Sequence, residues 1–177
     1  NLQPYDLCLS VQDAQMKVDR LLRSYNRHPQ TRDRMDLVLF PYVVEFLIRI
    51  LRAICIDGAS CLLVGLRASG KMSLALLATY ILDHEVLRIR RASAYTRLDL
   101  LSDIKSYCKY AAVNNKHFTL LMSDTDILDE CFLDLVNQLV STGEITDSFT
   151  KEEISAIVSE SFSRAQGQTS SPEASES

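Results

Sequence analysis

The sequence predicts an α/β protein, a parallel sheet of short buried strands flanked by helices, with helices in front and a polar tail behind. Three observations carry this. Short apolar runs at residues 59–65, 85–90 and 118–124 alternate with amphipathic stretches of helical length, the order that builds βαβ units. The first run enters LLVGLRASGKMS (residues 62–73), the strand–turn–helix form of a phosphate-binding loop. A hydrophobic fraction of 47% over 177 residues is enough for one domain with a packed core.

In chain order, Val11, Ala14, Val18, Leu21, Leu22 and Tyr25 recur at helical spacing over residues 11–26. NRHPQTRDR is a polar connector, and the segment from Met35 to Phe40 reads as extended. Pro41 suits the first turn of a second helix, where its missing N–H is harmless. That helix is apolar on most sides, so it is expected to be well buried, and Asp57-Gly58 should end it. ASCLLVG is read as a strand buried on both faces, KMSLALLATYILDH as a helix and EVLRIR as a second strand. Leu98, Leu101, Ile104 and Tyr107 or Cys108 should share the inner face of the next helix. FTLLMSD is a third strand, and the helix after it should stop at Gly143. From Ser159 the polar composition predicts a disordered tail. The expected organisation is therefore a helix and linker over 1–34, an α/β domain over 35–158 and a tail over 159–177.

Composition excludes several classes. A net charge of −4 and a pI near 5.4 argue against nucleic acid as the main partner. Glu45, Arg49 and Arg52 interrupt the most apolar region, so no membrane span is expected. No basic-then-apolar pattern opens the chain, so no signal peptide is expected, and a first residue of Asn1 suggests a chain processed or cut from something larger. Five cysteines without a C-x-x-C pair read as thiols in a reducing, cytoplasmic compartment, and His28, His84 and His117 lack metal-ligand spacing.

The loop is the chemical centre. Gly65 would end the strand, the N–H groups that follow would face a phosphate, and Lys71 would reach the β and γ phosphates at the positive end of a helix. Strand, glycine turn and helix also occur in any α/β protein, so the motif competes with a purely structural reading. Met72 stands where a hydroxyl would hold magnesium, and a thioether is a soft ligand unsuited to that ion. Ser73 lies about 100° further round the helix and is no straightforward substitute. Asp124, after an apolar strand, is the candidate catalytic acid and a possible magnesium ligand, where a hydrolytic site usually has two adjacent acids. Its structural alternative is the N-cap of a helix starting near Leu128.

MDLVLF (residues 35–40), the loop, LLMSDTD and FLDLVNQLVSTGEI, followed by Glu152-Glu153, together resemble a dynein heavy chain, in particular the fourth AAA+ module of its motor ring in the axonemal branch. The resemblance covers roughly residues 20–158. It implies a P-loop NTPase (AAA+) core that takes ATP or ADP, with magnesium as a further possibility. Gly65, Ser69, Gly70 and Lys71 align with the family's loop. Arg67, Ala68, Met72 and Ser73 complete the candidate nucleotide site, and Leu39 and Phe40 fall where the segment before the first helix approaches the adenine. Position 72 is usually glutamine in this module, and Ser123-Asp124 resembles the axonemal acidic motif.

Arg67 and Ala68 depart from the family's glycine-rich loop and are expected to restrict positive φ, unless Arg67 itself donates to a phosphate. No fourth or fifth strand, arginine-bearing sensor, helical lid, stalk or microtubule-binding region is found, so only part of one ring module, with an incomplete sheet, is expected. The resemblance implies neighbouring AAA+ modules as partners, dynein light and intermediate chains and microtubules through a full-length parent, and the cytoskeleton of the cilium axoneme as location. The leading expectation is nucleotide binding with weak or no hydrolysis, in a regulatory or structural role. Two alternatives stand beside it: a degenerate interaction module that binds nothing at the loop, and a free-standing P-loop ATPase.

Overall fold

The computed structural model describes residues 10–29, 34–56, 58–89, 95–127, 129–145 and 149–169, the last five by backbone only. The chain forms two compact units, Asn1–Asp83 and His84–Ser177.

The first unit is helical. Helix α1 (Val11–Arg27) begins at Ser10, whose hydroxyl accepts from Asp13 N at 3.1 Å. It buries Ala14, Val18 and Leu22, four residues apart and so on one face; Val11 and Leu21 are exposed. The extended segment after it alternates as a half-buried strand would: Met35 and Leu39 are buried and Leu37 half-buried, while Arg34, Asp36, Val38 and Phe40 are exposed. Amides of α1 take the place of a neighbouring strand. Asn26 Oδ1 accepts from Met35 N at 2.8 Å, Asn26 Nδ2 donates to Met35 O at 2.9 Å, and Gln15 Nε2 donates to Leu39 O.

Pro41 opens α2 (Pro41–Ile54), which buries Val44, Leu47 and Ile50. The expectation of burial on most sides fails here. Tyr42 and Phe46 are exposed, because α2 packs only against α1 and α3 among the elements of its unit, and two neighbours cover about half of a helix's circumference. The exposed rings lean on local partners instead: Phe40 stacks on Tyr42 at 5.7 Å and the Arg49 guanidinium lies 5.6 Å from the Phe46 centroid. Helix α3 (Lys71–Ile81) buries Leu74, Ala75, Leu77, Ala78 and Thr79. Leu47 and Leu77 are fully buried at the centre of this core, where truncation to Ala costs about 2–5 kcal/mol.

The run at 59–65, expected as a strand buried on both faces, forms no strand, and Leu62, Val64 and Leu66 are 88%, 85% and 85% exposed. Apolar composition favours a strand only when another strand supplies its hydrogen bonds, and the described ladder joins only residues 85–88 and 118–121.

The second unit holds that ladder. Strand β1 (Glu85–Arg88) pairs in parallel with β2 (Phe118–Leu121), Glu85 opposite Phe118 and Arg88 opposite Leu121. Helix α4 (Arg97–Asn114) lies between them in sequence, as a parallel crossover requires. Its phase differs from expectation. Thr96 and Asp99 form a capping box at its start, and Leu100 is fully buried while Leu98 is 71% exposed. Two residues span 200° on a helix, so both cannot face inward.

Leu87, Ile89, Leu100, Ile104, Phe132, Leu135 and Ile145 make the second core. Helix α5 (Glu130–Thr142) stops, as expected, at Gly143, whose φ of +73° is left-handed and whose N–H bonds Leu139 O. Helix α6 (Lys151–Thr169) runs ten residues beyond the expected start of the disordered tail. Its polar residues have partners that composition does not reveal: Ser161 Oγ donates to Ala112 O at 3.3 Å, and Arg164 donates to Asn114 Oδ1 at 2.6 Å on α4. Residues 170–177 of the expected tail lie outside the described residues.

Candidate phosphate-binding loop

The loop is a turn that feeds the N-terminus of α3. Ser69 N donates to Leu66 O at 3.4 Å, Ala68 is left-handed at φ 58°, and Gly70 is left-handed at φ 79° and caps the helix. Gly70 O accepts the first helical bond, from Leu74 N at 2.9 Å, and no side chain caps the first-turn N–H groups. Those donors, with the helix dipole behind them, are the chemistry that favours an anion.

Lys71, at the first helical position, turns back into the loop. Its Nζ donates to Gly65 O, to Leu66 O at 2.6 Å and to Ser69 Oγ at 3.5 Å. A Cβ placed on Gly65 would stand 3.4 Å from Ser69 Oγ and 3.5 Å from Lys71 Cδ, so the lysine stem packs over a bare backbone. The three hydrogens of the ammonium thus have three acceptors within the loop itself. Arg67, Ala68 and Ser69 are exposed, and Met72 and Ser73 are half-buried.

The extended segment comes close: Leu37 Cδ2 lies 3.5 Å from where a Gly70 Cβ would be. Of the two residues expected near the adenine, Leu39 is buried in the core and Phe40 is exposed on Tyr42. The side-chain amides on α1 that hold this segment, Gln15 and Asn26, were not signalled by the sequence, since an amide on a helix has no preferred partner until the chain folds.

Asp124 belongs to the second unit. It is exposed and opens a 3-10 turn, Asp124–Asp126, just after β2. The N-cap alternative for Asp124 does not hold. Ser123 caps the short turn and Asp129 caps α5, accepting from Cys131 N at 3.4 Å. The buried acid is Asp126, which accepts from Ser123 N at 2.8 Å and Ser123 Oγ at 2.7 Å. Its signal was a serine three residues before an acid, the spacing of a capping box. So Ser123, the hydroxyl beside the candidate acid, is engaged with Asp126, and Asp124 is the carboxylate left at the surface.

A family model described as the P-loop containing dynein motor region D4 matches residues 35–177, from the extended segment through the loop and both strands. The chain belongs to this dynein family. Its relatives include dynein axonemal heavy chain 9 of Homo sapiens, 34% identical over 151 residues and 85% of this chain. The flagellar outer-arm dynein beta chain of Chlamydomonas reinhardtii is 37% identical over 153 residues and 86% of this chain. The ciliary dynein beta chain of Tripneustes gratilla is 40% identical over 124 residues and 70% of this chain. The chain spans about 3% of the length of each of these relatives. Among the described residues no helix is long and apolar enough to cross a membrane.

Proposed function

We propose that this chain is a nucleotide-binding module of a dynein motor ring, that it binds ATP or ADP at Gly65–Ser73, and that it hydrolyses them weakly or not at all. The observation that carries the reading is the loop itself: a left-handed turn closes on the N-terminus of α3 with the Lys71 ammonium inside it. Phosphate oxygens arriving there would replace the carbonyls of Gly65 and Leu66 as acceptors for Lys71. The ammonium already makes charge-assisted bonds to these carbonyls, and a phosphate oxygen adds the attraction of a full opposite charge, which favours the exchange. The first-turn N–H groups of α3 would take further oxygens.

Asp124, in the second unit, is the candidate catalytic acid and magnesium ligand. The loop residues do not fit that ion, since Met72 offers a thioether and Ser73 a differently directed hydroxyl. With one acid and no hydroxyl at position 72, slow turnover is the chemical expectation. In this reading the module has a regulatory or structural role beside neighbouring ring modules, and it meets light and intermediate chains and microtubules only through a longer parent. The axonemal and ciliary names of its relatives support the cilium axoneme as its place.

A second reading, a degenerate module that binds nothing, is favoured by the internal bonding of Lys71 and by the strained Ala68. Equilibrium binding of labelled ATP and ADP to the chain and to Lys71→Ala separates the two. Loss of one charge-assisted contact, about 1.5–3 kcal/mol, should weaken binding about tenfold to a hundredfold. Binding unchanged in Lys71→Ala, or absent from the unaltered chain, overturns the assignment.

A further inference from the structure

We propose that Arg67 is a second phosphate-binding cation of this loop and that it makes polyphosphate binding independent of a divalent metal. The inference rests on Gly65–Ser73 being the phosphate site and goes beyond it, to how the phosphate charge is neutralised there.

Two features of the loop converge on this. One is charge. A magnesium-bound nucleotide brings a partly neutralised phosphate chain, whereas the free nucleotide brings the whole polyanion. From Gly58 to Leu82 the chain carries no Asp or Glu, and its two cations are Arg67 and Lys71. With Met72 unsuited to magnesium, neutralisation falls to these two side chains and the dipole of α3. The other is geometry. The Lys71 ammonium is committed inward, to Gly65 O, Leu66 O and Ser69 Oγ. Arg67 lies exposed in the turn that Ser69 N closes onto Leu66 O, and it forms no ion pair with any described residue. Arg67 is therefore the loop cation with no partner among the described residues, and its guanidinium is a planar donor with five N–H groups matched to two phosphate oxygens at once.

Arg67 does in this loop what a metal ion does in others: it spreads positive charge over neighbouring phosphate oxygens while Lys71 exchanges its carbonyl acceptors for them. The ligand class that follows is a nucleoside di- or triphosphate bound with or without its metal, with affinity resting on the phosphates.

The test uses the full chain, with labelled ATP as ligand and inorganic tripolyphosphate as competitor, in EDTA and again in excess magnesium. Arg67→Ala, Arg67→Lys and Lys71→Ala are compared, with thermal melting to confirm that each folds. ATP affinity in EDTA should stay within about threefold of that in magnesium, because no strong metal site is lost. Arg67→Ala should weaken ATP and tripolyphosphate binding in EDTA by about tenfold, one charge-assisted contact, and Arg67→Lys should recover part of that loss. Binding that needs magnesium, or that is the same in Arg67→Ala as in the unaltered chain, overturns this proposal. If Lys71→Ala still weakens binding in that case, the phosphate-site reading survives alone. No ATP binding by the unaltered chain in either condition overturns both.

Discussion

At Ala68 the loop does something its residue type resists. Arg67 and Ala68 are residue types that restrict positive φ, yet Ala68 is left-handed at φ 58°. A Cβ in that region costs of order 1–3 kcal/mol. Ala68 is exposed, so burial of its methyl does not offset the strain; the bonds Lys71 makes to Gly65 O and Leu66 O across the same turn do. Ala68→Gly should remove the strain at the expense of about 0.5–1 kcal/mol in unfolded-chain entropy. A net stabilisation of about 1 kcal/mol, read as a melting temperature raised by about 2–4 °C, is the expected result. A lower melting temperature would show that the turn is not left-handed in solution. The same scale separates Asp124 from Asp126. Both were visible in SDTD as acids after a strand, but which of them is buried depends on where the Ser123 hydroxyl turns.

At the scale of elements, α6 shows how a helix of polar composition is held. Thr150 N donates to Glu153 Oε2 at 2.8 Å, Glu153 N donates to Thr150 Oγ1 at 3.2 Å, and Lys105 on α4 donates to the same carboxylate at 3.2 Å. The backbone bond from Thr150, then the Lys105 ammonium, hold the Glu153 carboxyl below its ordinary value of 4.5. A carboxyl with a depressed folded pKa contributes stability above its unfolded pKa and loses it as pH falls through the folded one. Acidification below about 4.5 should therefore loosen α6 from α4, modestly because the group is solvent-exposed and screened by salt. Melting temperatures of the chain and of Glu153→Gln, followed from pH 7 to pH 3, should converge toward the acid end. A constant gap between the two curves would mean that the carboxylate charge plays no part in docking α6.

For the whole molecule, the decisive feature is unused strand-forming capacity. Leu62, Val64 and Leu66 are almost fully exposed, and the described sheet has two strands, each with one open edge. Exposed apolar backbone of this kind is a template for association. The chain in isolation should self-associate at micromolar concentration. Analytical ultracentrifugation checks this, and Leu62→Lys with Val64→Lys should shift the distribution toward monomer. A monodisperse monomer would show that this segment is covered in solution.

The sequence by itself determined helices α1 to α5, the stop at Gly143 and the parallel sense of the sheet. It also determined the loop and, through MDLVLF and LLMSDTD, the dynein family. These rest on short-range physics: apolar residues three and four apart, a glycine free to turn left-handed at Gly143, a proline at the first turn of α2. Tertiary structure alone decided which apolar faces found cover. Tyr42, Phe46 and Leu98 carry the composition of a core and face outward, because burial depends on how many neighbours an element has. It also decided that residues 59–65 form no strand, since a ladder needs a partner that no local pattern supplies, and that residues 151–169 form α6, whose partners Asn114 and Ala112 lie far away in sequence. At the loop, the motif located Lys71, but only the folded backbone shows that its ammonium turns inward onto Gly65 and Leu66 and leaves Arg67 as the exposed charge.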